Sequence, residues 1–214
     1  MKLTPIFDEA IKESKALLAL HDSAAATGAL PAGISPDVFL RAALVFALAA
    51  IDKILHESIS KHFNRLAREE ILDRFVKLKV SKAYEIALAA RIRAGAGGAR
   101  RRRPGHDIKT EVLMEIYKDS YLSTQRLQEV CGACGKKGIF TQYANYQGGN
   151  STSDKLKARW SRIYQRRNHI AHESDIQRKE RMRRVSFNPV DVLEIKSDIQ
   201  FIEGFGRFLA TTLE

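Results

Sequence analysis

The chain has 214 residues, of which 44% are hydrophobic and 29% charged, a composition that excludes a disordered or fibrous protein and predicts one domain, 1–214, with a packed core. It carries 36 Lys and Arg against 25 Asp and Glu, so its formal net charge of +11 attracts polyanions, nucleic acid first among them. Two cysteines are too few for a disulfide framework. The acidic N-terminal stretch does not fit a secretory signal, and the apolar run at 40–51 is too short for a membrane span. We therefore expect a cytoplasmic protein.

Helical periodicity recurs along the chain, and no useful length of it alternates with period two. The sequence therefore predicts an all-α bundle of about five to six antiparallel helices. The predicted helices cover about 5–26, 35–65, 67–94 and 107–130, with a fifth from Asp154 and a sixth that closes the chain. Glycine-rich loops are predicted at 95–106, which includes the basic run RRRRPG, and at 138–153.

Capping residues mark two of these helix starts. Ser35, Pro36 and Asp37 open the second helix as an N-cap, a first-turn proline and a first-turn acid, and Asn188, Pro189 and Asp191 are expected to open the last helix in the same way. Apolar residues at helical spacing define the inner faces of both helices. They are Leu44, Leu48, Ile51, Leu55, Ile59 and Phe63 on the second, and Ile195, Ile199, Ile202 and Leu209 on the last.

Two cysteines stand at the end of the predicted fourth helix. Cys131 and Cys134 have zinc-knuckle spacing, but the sequence offers no second ligand pair, so we predict no metal site and read both as small buried thiols. Two chains together would supply four cysteines, an alternative that metal analysis of the purified protein tests.

Polar residues interrupt the inner faces of two helices. Arg167 stands four residues after Ile163 in an apolar series on the fifth helix, and Asp52 stands four residues after Leu48 on the second, with His56 one turn further. An isolated buried charge is too costly to keep, so Arg167 requires a partner or a wet pocket. Before any comparison with a family, a satisfied core ion pair and a cleft that holds a phosphate are equally good interpretations.

The neighbourhood of Arg167 favours the phosphate cleft. Asn168 and His172 lie four residues apart, which adds an amide and a titratable imidazole on one helix face. The segment 155–184 holds eleven Lys and Arg against three acids. Aromatic side chains are close enough in sequence to stack on bases, although Trp160 also fits the core; they are Trp160, Tyr164, Tyr143 and Tyr146.

Helix geometry leaves open which histidine acts with Arg167. At about 100° per residue, His169 lies about 160° and His172 about 140° around the helix from Arg167, so neither shares its face. Either the helix ends near Ser174 and lets His172 curl back, or the histidine serves a second copy of the chain across a two-fold axis.

The string RRNHIAHE at 166–173, with AAIDKILHE at 49–57 on the second helix, resembles the signature of the HEPN superfamily, and of its RiboL-PSP type in particular. That resemblance implies a HEPN-type helical bundle that acts on RNA as a homodimer, with two motifs meeting in one cleft. It implies a metal-independent endoribonuclease without a cofactor, a toxin or phage-defence effector that has an antitoxin or another protein as its partner.

Carried over by position, Arg167 and His172 are the catalytic pair, Asn168 is their polar neighbour and Asp52 is the acid that orients Arg167. His169 stands at a variable position of the motif and ranks below His172. The residues expected to contact the substrate are Arg166, His169, Arg162, Lys157 and His56. Two features depart from the family's pattern: the CxxC before the motif and the basic QRKERMRR after it. Both leave substrate choice open.

Two other function classes stay open. A non-catalytic HEPN module would bind nucleic acid, a nucleotide or a partner protein without cleaving anything. A DNA-binding bundle would use the basic segment at 178–184, although no recognition helix is evident in the sequence.

Overall fold

The fold is described from a computed structural model covering residues 2–69, 71–75, 104–149, 151–173, 175 and 187–214. In these ranges the chain forms seven α-helices, one 3₁₀ helix and no β-strand, which confirms the predicted all-α fold. The helices are α1 (Leu3–Thr27), α2 (Asp37–Arg68), α3 (Pro104–Ile116), α4 (Thr124–Ala133), α5 (Ile139–Tyr146), α6 (Ser153–Glu173) and α7 (Val192–Leu213). Among those described, no helix has both the length and the apolar composition that a membrane crossing requires.

The long helix α2 is the centre of the core and packs against α1, α6 and α7. Every residue predicted for its inner face is buried, as are those predicted for the last helix. Gly206 allows α7 to approach closely, because a Cβ at this position would lie 2.2 Å from Cζ of Phe7 and 2.7 Å from Cδ1 of Ile51. The regular apolar spacing in the sequence thus accounts for the main helical layer.

Side chains accept hydrogen bonds from the first backbone N–H groups of several helices. At α2 the N-cap is Pro36, so the cap predicted at Ser35 is off by one residue, although the Ser35 hydroxyl accepts a hydrogen bond from the backbone N–H of Asp37. The cap of α7 is Asp191, whose carboxylate accepts from the N–H groups of Leu193 and Glu194, so the predicted start at Asn188 is wrong by three residues. The start of α1 is capped from the far end of the chain, since the Glu214 carboxylate accepts from the backbone N–H groups of Leu3 and Thr4.

The predicted third helix at 67–94 is wrong at its start, because α2 runs on to Arg68. There the N–H of Ile71 turns back to the Leu66 carbonyl at 2.9 Å, and a 3₁₀ turn at Leu72–Arg74 follows. Leu72 and Phe75 are buried against the core and hold the turn in place. The rest of that predicted helix and the basic loop after it, 76–103, lie outside the described residues.

The predicted fourth helix at 107–130 is two helices, α3 and α4, separated by residues 117–123. Tertiary hydrogen bonds hold this connection out of the helix. The N–H of Tyr121 donates to Oδ1 of Asp52 at 2.9 Å, and the indole N–H of Trp160 donates to the Leu122 carbonyl at 2.7 Å. Ser123 then caps α4 by accepting from the N–H of Arg126.

The glycine-rich loop predicted at 138–153 contains the short helix α5. Its buried residues are Ile139, Phe140, Tyr143 and Ala144, which lie on one side of two turns. Tyr143 is accommodated because α7 has Gly204 opposite it, where a Cβ would lie 2.9 Å from the tyrosine hydroxyl. A helix of eight residues has too few turns to show its period clearly in the sequence.

Candidate functional site

Three buried side chains set the orientation of α6, the helix that carries the motif. Leu156, Trp160 and Ile163 lie in the core, and Arg167 continues their line toward the helix C-terminus. This is the inner line predicted from the sequence. At Arg167 the apolar series gives way to a guanidinium.

The Arg167 guanidinium is only partly satisfied. Its Nη1 donates to Oδ1 of Asn168 at 3.1 Å, while Nε is buried and has no hydrogen-bond partner within the described part of the chain. A buried N–H left in this state costs about 1–3 kcal/mol of folding free energy. Arg167 therefore remains a cation held at the edge of the core by an uncharged amide.

Asp52, the acid expected to orient Arg167, holds a different group in the described structure. Its Oδ1 accepts from the Tyr121 backbone N–H, and no ion pair joins it to Arg167 in the described structure. The carboxylate instead closes the connection between α3 and α4. Burial raises the pKa of the neighbouring Tyr121 hydroxyl well above its ordinary range, so this phenol stays protonated.

His56 belongs to the core and not to an accessible substrate surface. It is 7% exposed, and its Nε2 lies 2.9 Å from the Asp119 carbonyl oxygen. Its ring packs against those of Tyr117 and Tyr121, with centroid distances of 5.0 and 5.1 Å. The substrate contact expected at His56 thus has no surface on which to form.

Both motif histidines are exposed. Helix α6 continues through Glu173, so His172 does not curl back toward Arg167. Regular helix geometry leaves the two side chains about 140° apart around the axis and about 7.5 Å apart along it. The two side chains therefore leave α6 in different directions.

Two more arginines of α6 are held by a buried carboxylate of α7. Asp198 accepts from Nε of Arg159 at 3.1 Å and from Nη2 of Arg162 at 2.8 and 2.9 Å. Arg162 also pairs with Glu194. The expected substrate contact at Arg162 is therefore a guanidinium already oriented by two acids, with its side chain 48% exposed.

A fully buried aspartate just past the end of α6 holds the next arginine. The Asp175 carboxylate accepts from Arg166 at 2.9 Å, from Arg41 at 2.7 Å and from the Asn188 amide at 3.0 Å. Its backbone N–H donates to the His169 carbonyl, and its φ of 56° is one that aspartate tolerates better than most residues. Asp175 thus ties the motif helix to the start of α2 and to the segment that leads into α7.

Sequence reasoning missed Asp175 as a site residue. Its position two residues beyond the motif was visible, but its partner Arg41 lies 134 residues away in the chain. The other expected substrate contact, Lys157, pairs with Asp154 at 3.3 Å on the surface of the first turns of α6. The basic run at 178–184 lies outside the described residues.

The cysteine pair is buried. Cys134 lies 3.1 Å from the Ser58 hydroxyl, and burial raises the pKa of both thiols. In the described ranges no group of three or more His, Cys, Asp or Glu is placed to hold a metal ion.

Comparisons with known proteins identify no relative of this chain: no protein-family model, no curated protein and no solved structure matches it.

Proposed function

We propose that this chain is a metal-independent endoribonuclease that cleaves RNA as a homodimer, with Arg167 and His172 as its catalytic residues. The observation that carries the proposal is the state of Arg167. Alone among the four arginines of α6 it has no carboxylate partner within the described residues, and its only hydrogen bond is to a neutral amide. An arginine kept partly buried and unneutralised is suited to an anionic substrate.

The chemistry needs only side chains that the motif supplies. RNA carries its own nucleophile, so the 2′-oxygen attacks the adjacent phosphorus while the bond from phosphorus to the 5′-oxygen breaks. His172 accepts the proton of the 2′-hydroxyl, and the leaving 5′-oxygen takes a proton from water. Arg167 stabilises the negative charge on the pentacoordinate phosphorus, and Asn168 orients its guanidinium. The products are a 2′,3′-cyclic phosphate and a 5′-hydroxyl.

The dimer is part of the mechanism. Because Arg167 and His172 point in different directions from α6, the active site pairs Arg167 of one chain with His172 of the other, across a two-fold axis. Each of the two sites then has one Arg167 and one His172. Together with the resemblance of RRNHIAHE to the HEPN signature, this arrangement supports a toxin or phage-defence effector in the cytoplasm, controlled by an antitoxin or another partner protein.

The first test is cleavage of unstructured RNA in EDTA by wild type, Arg167→Ala and His172→Ala. Loss of the imidazole should slow cleavage by about a hundred- to ten-thousandfold. His169→Ala is the matched control on the same helix, and it should retain far more activity than His172→Ala. Unchanged cleavage by rigorously purified His172→Ala or Arg167→Ala protein would rule out the proposal.

Subunit mixing tests the shared site directly. Arg167→Ala and His172→Ala homodimers each lack one residue in both sites, but a mixed dimer has one complete site if each site draws on two chains. Equal mixing should therefore restore about a quarter of the wild-type activity, since half the dimers are mixed and each has one working site. Sites built within one chain would show no recovery, and a monomer in solution would exclude the shared site.

A non-catalytic module is the second candidate function. The observation that favours it is the absence of the Asp52 to Arg167 contact in the described structure, which leaves the guanidinium without the acid that would aim it. Such a module would bind RNA or a nucleotide through Arg167, and neither the wild type nor His172→Ala would cleave RNA.

A further inference from the structure

The structure separates two tyrosines of α5 that the sequence presented as equivalent. Tyr143 is 2% exposed and belongs to the core, whereas Tyr146 at the last position of the helix is 72% exposed. An aromatic ring left in water at this level gives up the stability that burying it would bring. Its outer face is free to contact a ligand.

Tyr146 is nevertheless held by other rings. Its ring stacks on Tyr143, with centroids 6.2 Å apart and an interplanar angle of 19°, and lies 5.2 Å from Phe208 of α7. Tyr143 is itself fixed, because its hydroxyl accepts from the Gln147 amide at 3.0 Å. A ring supported from behind loses little conformational freedom when a planar ligand stacks on its open side.

The segment that contains α5 itself carries positive charge. The segment 135–153, which contains α5, has two exposed lysines, Lys136 and Lys137, and no acidic residue. Across the aromatic cluster, the Arg159 guanidinium lies 4.7 Å from the Phe201 ring, whose centroid is 6.1 Å from that of Tyr143. Arg159 is also the first of the arginines that lead along α6 toward the motif.

Tyr117 provides a contrast within the same molecule. It is also a tyrosine at a helix end with its ring partly exposed, at 43%. However, its hydroxyl donates to Glu57 at 3.3 Å, and Lys53 covers its ring. An acid beside one face and a cation over the ring make Tyr117 a poor site for a nucleobase.

We infer that Tyr146 is a stacking platform for an unpaired base of single-stranded RNA. This inference rests on the proposed function and adds to it the class of substrate, a strand with bases free to leave the stack. Base stacking on an aromatic side chain tolerates any base, because every base has a π-face. The platform binds the strand away from the reacting phosphate, so it should affect affinity for RNA and leave proton transfer alone.

The test measures binding of a fluorescent single-stranded 2′-O-methyl RNA, which cannot be cleaved because the nucleophile is blocked. Tyr146→Ala should bind it about 5- to 150-fold more weakly than the wild type, as expected for loss of one stacked base. Tyr146→Phe keeps the ring and should bind like the wild type. Tyr117→Ala is the matched control and should also retain wild-type affinity.

A second probe removes the base instead of the ring. The same strand with abasic residues should bind the wild type more weakly and abolish the difference between wild type and Tyr146→Ala. The inference is overturned if Tyr146→Ala binds the intact strand normally, or if a duplex binds as tightly and with the same sensitivity to Tyr146. It is equally overturned if Tyr146→Ala turns a dimer into a monomer, because the face would then join two copies of the chain.

These outcomes separate the stacking platform from the nuclease. Normal binding by Tyr146→Ala, with cleavage still dependent on His172, removes only the platform. A wild type that binds no single-stranded RNA removes both.

Discussion

The four arginines of α6 fall into two groups that differ in how their charge is met. Arg159, Arg162 and Arg166 face buried carboxylates, Asp198 for the first two and Asp175 for the third. Arg167 faces the core line and has only the Asn168 amide. The fold thus provides an acid wherever an arginine holds helices together. Among the arginines of α6, Arg167 alone has no acid partner within the described residues, and it lies in the motif, where the proposed substrate phosphate would pair with it.

The largest loss of stability is expected on substitution of Asp175, the buried carboxylate that pairs with Arg166. Asp175→Asn keeps the shape and the tolerance for positive φ but leaves Arg41 and Arg166 without their buried counter-charge. The free energy of unfolding should fall by about 3–5 kcal/mol, as for other buried pairs that lose one partner. Urea denaturation followed by circular dichroism measures this loss.

The matched control for Asp175 is the same substitution at the other end of α6. Asp154 is 92% exposed and pairs with Lys157 on the surface. Asp154→Asn should cost less than about 1 kcal/mol. Equal losses in the two variants would mean that the Asp175 cluster is not a structural anchor.

The next effect concerns Arg167 itself. Arg167→Met removes an uncompensated charge and an unsatisfied buried N–H, so the melting temperature should stay the same or rise. RNA cleavage should fall by about a hundred- to a thousandfold, the usual result of losing one donor that stabilises a transition-state charge.

Arg162→Met tests the same contrast, because it should lower stability and largely retain kcat, the opposite of Arg167→Met. It removes a guanidinium that pairs with Asp198 and Glu194, and stability should fall by about 1 kcal/mol. As a phosphate contact it should raise KM for RNA and largely retain kcat. If Arg167→Met were the more destabilising of the two, Arg167 would be a structural arginine like its neighbours.

The smallest effect is at an exposed carboxylate that also secures a helix end. Hydrogen bonds from Thr4 and Leu3 hold the pKa of Glu214 below its ordinary value of 4.5. A carboxylate whose pKa is lowered in the folded state stabilises the fold at pH values above its ordinary pKa. That stability is lost as the pH falls through the folded-state pKa.

Melting temperatures measured between pH 7 and pH 3 test this linkage. The wild type should lose slightly more stability than Glu214→Gln below about pH 4.5, because only the wild type has this carboxylate to protonate. Parallel curves for the two proteins would show that the cap of α1 contributes nothing. Unlike the buried Asp175 carboxylate, the Glu214 carboxylate is exposed to water, where keeping its charge costs little free energy.

Prediction from the sequence was most accurate where a single helix carries its own signal. The inner face of α2 was predicted residue by residue, and the start of α6 near Asp154 was located correctly. The errors lie where residues distant in sequence form hydrogen bonds with backbone groups. Asp52 and Trp160 hold the connection between α3 and α4 out of a helix, and α5 is too short for its period to be read.

The candidate site divides in the same way. The sequence identified the motif and placed Arg167 on the inner line, and helix geometry already put His172 on another face. It could not assign the counter-charges, since Arg41 and Asp175 are 134 residues apart and only folding brings them together. His56 and Asp52 look like site residues in a helical pattern, but their hydrogen bonds go to the backbone of residues 119 and 121.

The sequence by itself determined that this protein is an all-α bundle and which face of each long helix is buried, because apolar spacing is a local property of the chain. Only the tertiary structure decided which arginines are neutralised, because ion pairing depends on distances between residues far apart in sequence. It also decided which tyrosine of α5 stays in water, because burial depends on what packs against each ring.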